Sequence, residues 1–266
     1  MWVSDERISK RGEVHRRLPI GAEVFVGAGV RLGVHFRVWA PRRQRVEVVF
    51  EDGAMRPLQL ERDADGYFGG ISSEARDGSL YRFRLDGGET LYPDPASRFQ
   101  PQGPHGPSQV VDPKEFRWSD QRWPGVGAEN QVLYEMHIGT FTREGTWEAA
   151  ARELPYLADI GVTCIEVMPV AEFPGRFGWG YDGVDLFAPT RLYGSPDDFG
   201  RFVDRAHAVG VGVILDVVYN HLGPDGNYVK EFSEHYFTTK HKNDWGESLN
   251  FDDRGSEAVR EFFRIE

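Results

Sequence analysis

The sequence predicts an all-β first half followed by a parallel α/β second half, and three observations support this fold class. Up to about residue 110, short runs of alternating apolar and polar residues are separated by turn-forming residues. Seven prolines then lie between Pro93 and Pro124. From residue 131 onward, strand patterns are followed by segments whose apolar residues recur every three or four positions, as in helices.

The first half contains three clear strand patterns. Residues 34–39 and 46–50 alternate between apolar and polar side chains. A third alternation covers residues 81–85 and is followed by Asp86-Gly87, a frequent hairpin turn. Strands this short, separated by turns, predict a small β-sandwich over residues 1–110. Because proline restricts the backbone, the connection up to about residue 130 should be rigid and should lie against the body of the protein.

The second half, residues 131–266, contains about three strand–helix units. The strands are predicted at residues 132–138, 162–167 and 211–218. Thr146 can cap one helix, which Pro155 should kink or restart, and Ser195, followed by a proline and two aspartates, begins another. The middle strand is apolar on both faces, which predicts a parallel sheet covered on both sides. A doubly wound sheet and a (β/α)8 barrel both fit this pattern.

Composition and charge limit the functional classes. Acidic residues outnumber basic ones, 42 to 31, which gives a formal net charge of -11. This charge disfavours nucleic acids and anionic membranes as partners and suits a neutral, polyhydroxylated substrate. The only cysteine, Cys164, lies in an apolar strand, so a reducing, cytoplasmic compartment is predicted. Residues 1–7 lack the apolar core of a signal peptide, and no run of about 20 apolar residues predicts a membrane span.

Candidate binding residues follow two strands of the second half, because functional groups of parallel α/β folds gather beyond the carboxyl ends of strands. After the second strand, alternating glycines would present Trp179 and Tyr181 beside Asp182, as a platform for a sugar ring. The alternative is that these aromatic rings only cover a hydrophobic edge.

A second group of candidates follows the third strand. Asp216 lies near the end of that strand, and Asn220 and His221 come shortly after it. A carboxylate in an apolar strand needs a polar or charged partner, which favours a polar site here. The alternatives are a carboxylate that only anchors a neighbouring strand and, with less support, a metal site. No metal-ligand spacing and no glycine-rich phosphate-binding pattern is present, so no metal and no cofactor are predicted.

Both segments resemble motifs of the α-amylase superfamily of glycoside hydrolases. Residues 216–221, Asp-Val-Val-Tyr-Asn-His, resemble its first signature motif, and residues 179–183, Trp-Gly-Tyr-Asp-Gly, resemble its motif after strand two. The first half resembles a family-48-type carbohydrate-binding module. The resemblance implies an N-terminal β-sandwich followed, in residues 131–266, by the first three or so units of a (β/α)8 TIM barrel that is incomplete in this chain.

Longer stretches are similar to the malto-oligosyltrehalose trehalohydrolase branch of this superfamily. They lie at residues 93–98, 134–142, 168–175 and 221–228. The likeness implies that an α-1,4 bond of the substrate maltooligosyl trehalose, a malto-oligosaccharide derivative, is hydrolysed to release trehalose. Branching and debranching enzymes share some of these motifs and remain alternatives, as does an α-glucan-binding protein without catalytic activity.

The resemblance also implies roles for single residues. It assigns sugar contacts to six of them, with Tyr181 as the stacking ring: Trp179, Tyr181, Asp182, Asp216, Asn220 and His221. Asn220 matches a calcium ligand of many α-amylases, but no further metal pattern accompanies it. The carboxyl groups that perform catalysis in the family follow strands four, five and seven. They are therefore expected after residue 266, and no catalytic residue is assigned in this chain.

Overall fold

Two antiparallel sheets account for most of the first half of the chain. The computed structural model describes residues 16–27 and 30–264. The strands of this half are β1 (Gly21–Gly27), β2 (Val30–Trp39), β3 (Val46–Phe50), β4 (Leu58–Gln59), β5 (Glu61–Arg62), β6 (Tyr67–Ser72), β7 (Leu80–Leu85), β8 (Leu91–Tyr92) and β9 (Ser108–Gln109). One sheet has the order β1-β2-β6-β5, and the other has the order β4-β3-β7-β8 with β9 also paired to β7.

The inner faces of the two sheets contact each other through the alternating residues that the sequence identified. Val34, Phe36 and Val38 of β2 are fully buried. The Phe36 ring centroid lies 5.9 Å from that of Phe50 on β3 and 4.8 Å from that of Tyr81 on β7, both edge-on. Such edge-to-face aromatic pairs add to the free energy gained by apolar burial.

The apolar core of the two sheets extends into the second half of the chain. The Trp39 ring centroid lies 5.5 Å from that of Tyr236, and the Phe83 centroid lies 5.8 Å from that of Phe232. Arg43 also donates a hydrogen bond of 2.9 Å from Nε to the carbonyl oxygen of Glu231. These contacts join residues more than 140 positions apart, so the two halves share one hydrophobic cluster.

The second half is built around three parallel strands. Its elements are β10 (Leu133–Met136), α1 (Ile138–Phe141), α2 (Trp147–Asp159), β11 (Cys164–Val167), β12 (Ala171–Glu172), β13 (Asp185–Pro189), α3 (Pro196–Ala208), β14 (Gly212–Leu215), α4 (Val229–Phe232), a 3-10 turn (Glu234–Tyr236), β15 (Phe237–Asn243), β16 (Gly246–Leu249) and α5 (Ser256–Phe262). β10, β11 and β14 pair in parallel in that order. All three are shorter than the sequence predicted, and β14 ends at Leu215.

The helix starts predicted from capping residues are present. Thr146 accepts a hydrogen bond of 3.3 Å from the N–H of Ala149. Ser195 and Asp198 form a reciprocal capping box at the start of α3. The prediction that a helix restarts at Pro155 is wrong, because α2 runs without interruption from Trp147 to Asp159, while a kink at Pro155 stays a prediction. Pro155 lies on the exposed side of α2, where water can satisfy the carbonyl group that loses its N–H partner.

A further prediction about this half is wrong for the described residues. The parallel sheet is not covered on both sides there, because α2 and α3 pack on the face that carries Ile165 and Val213, while Ile214 on the opposite face is 44% exposed. Residues 240–244 belong to the hairpin of β15 and β16, which carries Trp245 at its turn.

No helix in the described part of the chain has the length and apolar character needed to cross a membrane. Residues 1–7, in which no signal peptide is predicted, lie outside the described residues. Cys164 is buried in β11, as the sequence predicted, with 2% of its surface exposed.

Candidate functional site

A cleft of about 980 Å³ opens beyond the carboxyl ends of β11 and β14. The structure places all six of the predicted binding residues along it: Trp179, Tyr181, Asp182, Asp216, Asn220 and His221. Residues from two separate segments of the sequence therefore meet in one cavity, as expected for a parallel α/β fold.

The loop between β12 and β13, residues 173–184, forms one wall of the cleft. Gly180 has a φ of 93°, and a side chain there would collide with the carbonyl oxygen of Pro169. Only glycine fits this left-handed, closely packed position. The tight path leaves Trp179 and Tyr181 with 63% and 42% of their surfaces exposed. The loop thus leaves both rings partly exposed and presents them to the cavity.

Tyr181 is tied to the carboxylate of the second segment. Its hydroxyl donates a hydrogen bond of 3.1 Å to Oδ2 of Asp216. Burial, and then the hydrogen bond to Asp216, raise the pKa of Tyr181, so the hydroxyl keeps its proton. Asp216 is the first residue after β14, and its N–H donates to the carbonyl oxygen of Val167 at 2.9 Å. Both residues are held in place, while Oδ1 of Asp216 has no hydrogen-bond partner among the described residues and can accept a further hydrogen bond.

His221 supports Tyr181 from behind. It is only 7% exposed, and its Nε2 lies 3.0 Å from the carbonyl oxygen of Tyr181. Because a carbonyl oxygen can only accept, Nε2 carries the proton. Nδ1 lies 2.9 Å from Oδ1 of Asn220. Both ring nitrogens therefore have protein partners, and His221 fixes the backbone of the loop next to the cleft.

His137 is a functional residue that the sequence did not select. It lines the cleft at the end of β10, with its Nε2 2.9 Å from the carbonyl oxygen of Gly178 and 3.0 Å from the hydroxyl of Tyr193. Its ring centroid lies 5.0 Å from that of Trp179. Burial raises the pKa of Tyr193 to about 12, which keeps that hydroxyl neutral as a partner for the imidazole. His137 thus supports the Trp179 side of the loop.

Trp245 was also missed. Its side chain is 76% exposed and lines the cleft from the turn between β15 and β16. Its N–H donates to Oδ1 of Asn243 at 3.0 Å, and Nδ2 of Asn243 donates to the carbonyl oxygen of Asn220 at 3.1 Å. The turn formers Asn243, Asp244 and Gly246 are the signal that could have identified this hairpin.

The cleft combines aromatic faces with hydrogen-bonding groups. Trp179, Tyr181 and Trp245 offer exposed rings, and Asp182 and Asp216 offer carboxylate acceptors. This combination suits sugar rings, whose C–H faces stack on aromatic side chains and whose hydroxyls bind carboxylates. In the described residues, no group of three or more His, Cys, Asp or Glu side chains could hold a metal ion.

Comparison with known proteins agrees with this geometry. Residues 109–258 match the family profile of the alpha amylase catalytic domain. The chain is 47% identical over 230 residues to the malto-oligosyltrehalose trehalohydrolase of Saccharolobus solfataricus, covering 86% of this chain and 40% of that protein. It is 44% identical over 238 residues to the enzyme of the same name from Deinococcus radiodurans, covering 88% and 38%. The predicted likeness to the trehalohydrolase branch is confirmed.

A solved structure shows the same architecture. A Salmonella typhimurium protein assigned as an alpha amylase superposes with a TM-score of 0.85 at 44% identity, covering 93% of this chain and 40% of that one. The chain thus spans about 40% of the length of each of these three proteins. The matched profile covers more than half of the chain, including β10, β11, β14 and the whole cleft. The chain therefore belongs to the α-amylase family of glycoside hydrolases, and residues 109–258 are part of its catalytic domain.

Proposed function

We propose that the cleft binds α-1,4-linked glucose chains and that the protein releases trehalose from maltooligosyl trehalose. The observation that carries this proposal is the meeting of Tyr181, Asp216 and Trp245 in one cavity of about 980 Å³. A cavity of this size holds several sugar units. The identity of 47% to a relative named as a trehalohydrolase supports the choice of substrate.

In this proposal each residue acts on binding and not on bond cleavage. Tyr181 and Trp245 stack on sugar rings, and the Asp216 oxygen that Tyr181 does not occupy accepts a sugar hydroxyl. Asp182 and Asn220 offer further polar contacts, while His221 holds the loop. Hydrolysis of a glycosidic bond needs an acid and a nucleophile or base on either side of it. By family resemblance those carboxyl groups follow later strands than the three parallel strands described here.

We also propose that residues 1–110 form the β-sandwich and residues 131–266 the first units of the TIM barrel, joined by the proline-rich connection. In this proposal the first half resembles a family-48-type module in its fold, and no sugar-binding role is assigned to it. None of the Phe, Tyr and Trp side chains described between residues 16 and 110 is exposed, so this part offers no aromatic platform to a sugar. Its apolar residues share one core with buried side chains between residues 222 and 262. A cytoplasmic location fits the single, unpaired Cys164.

The test is an assay of the product of the whole reading frame, incubated with maltooligosyl trehalose. We expect free trehalose to accumulate, and we expect Tyr181→Ala to lower kcat/KM by about tenfold to a hundredfold through loss of stacking. Formation of α-1,6 branches without trehalose would instead indicate a branching enzyme. Sugar binding without any turnover would indicate a glucan-binding protein and would also contradict the proposal.

A further inference from the structure

At the base of the sugar-binding loop, residues 173–184, two buried carboxyl groups lie near one guanidinium group. β12 and β13 pair so that Glu172 stands opposite Asp185 at the two ends of the loop. Glu172 is 0% exposed and Asp185 is 4% exposed. Arg191, just after β13, forms an ion pair with Glu172. Two carboxyl groups and one guanidinium therefore lie at the base of the loop.

The carboxylate of Glu172 is well supplied with donors. Oε1 accepts from the N–H of Phe173 at 3.2 Å, and Oε2 accepts from the N–H of Arg191 at 2.9 Å. The guanidinium of Arg191 binds Oε1 as well and donates from Nη2 to the carbonyl oxygen of Gly175 at 3.3 Å. Arg191 thus links the residue before the loop to the third residue inside it.

Asp185 has a different environment. Its Oδ2 is buried without a hydrogen-bond partner. Burial, and then the charges of Glu172 and Asp94, raise the pKa of Asp185 well above its usual range. Burial also raises the pKa of Glu172, but Arg191 and the two backbone donors oppose that rise. Of the two carboxyl groups, Glu172 has a cationic partner, whereas Asp185 has the more strongly raised pKa and a buried oxygen without a partner.

We propose that the Glu172–Arg191 pair is the positioning element of the sugar-binding loop, fixing the base of residues 173–184 so that Trp179 and Tyr181 face the cleft. The inference rests on the proposed sugar-binding role of that loop. Neither Glu172 nor Arg191 lines the cleft, so the pair acts through the residues it holds. His137 and His221 hold the middle of the loop at Gly178 and Tyr181, and the ion pair holds its base.

The first experiment measures loop opening without any sugar. Arg176 lies exposed inside the loop and offers trypsin a cleavage site before Phe177. In the full chain, Glu172→Gln should raise the rate of cutting at this bond by about tenfold, since a short loop released at one end becomes accessible. Asp185→Asn, the matched control, changes the other buried carboxyl group at the base of the loop to an amide of the same shape, leaves the Glu172–Arg191 pair intact and should leave the rate unchanged. Equal rates for the two variants would overturn the proposal.

A double variant separates positioning from stability. In Glu172→Gln with Arg191→Met no unpaired charge remains buried, so the melting temperature should return towards that of the unmodified chain. This variant lacks both the ion pair and the Arg191 donor to Gly175, so cutting should still be fast, and the affinity for maltotetraose should be about tenfold weaker than that of the unmodified chain. If the cutting rate and the affinity of the double variant return to those of the unmodified chain together with the melting temperature, the Glu172–Arg191 pair has only a stabilising role. Arg191→Lys, which keeps the charge but loses the second donor, should show an intermediate cutting rate.

The two claims fail in different ways. If the cleft does not bind maltotetraose in any variant, the proposed function fails while the trypsin result still decides the positioning claim. If the unmodified chain binds maltotetraose and Glu172→Gln binds it equally well with unchanged cutting, the positioning claim fails while the proposed function stands.

Discussion

Trp245→Ala offers a clean perturbation of the cleft, because the side chain does little for the folded structure. Its ring is 76% exposed at a hairpin turn, so its removal leaves no cavity. A glucose unit stacked on one indole face would cover about 60 Å² of apolar surface, which is worth about 1.5 kcal/mol at about 25 cal/mol per Å². That free energy corresponds to about a tenfold loss of affinity.

The assay is a calorimetric titration with maltohexaose, paired with a thermal melt. We expect Trp245→Ala to bind about tenfold more weakly and to melt within about 2 °C of the unmodified protein. Trp118→Ala is the control, since Trp118 is also exposed, at 42%, but contacts Phe116 in the proline-rich connection outside the cleft. Unchanged affinity in Trp245→Ala, or an equal loss in both variants, would refute the stacking argument.

Three further changes test the site and the core. Tyr181→Phe keeps the ring but loses the bond to Asp216, so affinity for maltohexaose in the same titration should fall by about fivefold, less than in Tyr181→Ala. Asp185→Asn should flatten the dependence of melting temperature on pH, because burial raises the pKa of Asp185 in the folded protein. A raised folded pKa stabilises the folded state fully below the unfolded pKa, and this stabilisation is lost as the pH rises through the folded pKa. Phe232→Ala should lower the free energy of unfolding in urea by about 3–5 kcal/mol, because Phe232 is 1% exposed.

The sequence was most informative where local chemistry decides the structure. The capping box at Ser195 and Asp198 fixes a helix start through hydrogen bonds between neighbours, so three residues suffice to predict it. The six cleft residues could be selected because parallel strands deliver whatever follows them to one edge of a sheet. The alternation of apolar and polar residues at 34–38 likewise predicted that one face of the strand is buried, and Val34, Phe36 and Val38 are buried in the structure.

The features that the sequence did not predict depend on contacts between distant residues. Phe232 and Tyr236 join the core of the two sheets through Phe83 and Trp39, and no local pattern announces that pairing. Trp245 reaches the cleft only because its hairpin folds back over Asn220, and the polar residues 238–242 show no apolar alternation. The raised pKa of Asp185 follows from its burial and from the nearby charge of Glu172, and both depend on the tertiary structure.

The central claim is that this cleft holds a glucose chain between Tyr181 and Trp245. A crystal structure of the product of the whole reading frame with bound maltotetraose tests it most directly. We expect one glucose ring stacked within about 4 Å of the Tyr181 ring, a sugar hydroxyl bonded to Asp216, and a second ring against Trp245. A sugar bound elsewhere, with the cleft free of it, would contradict the account.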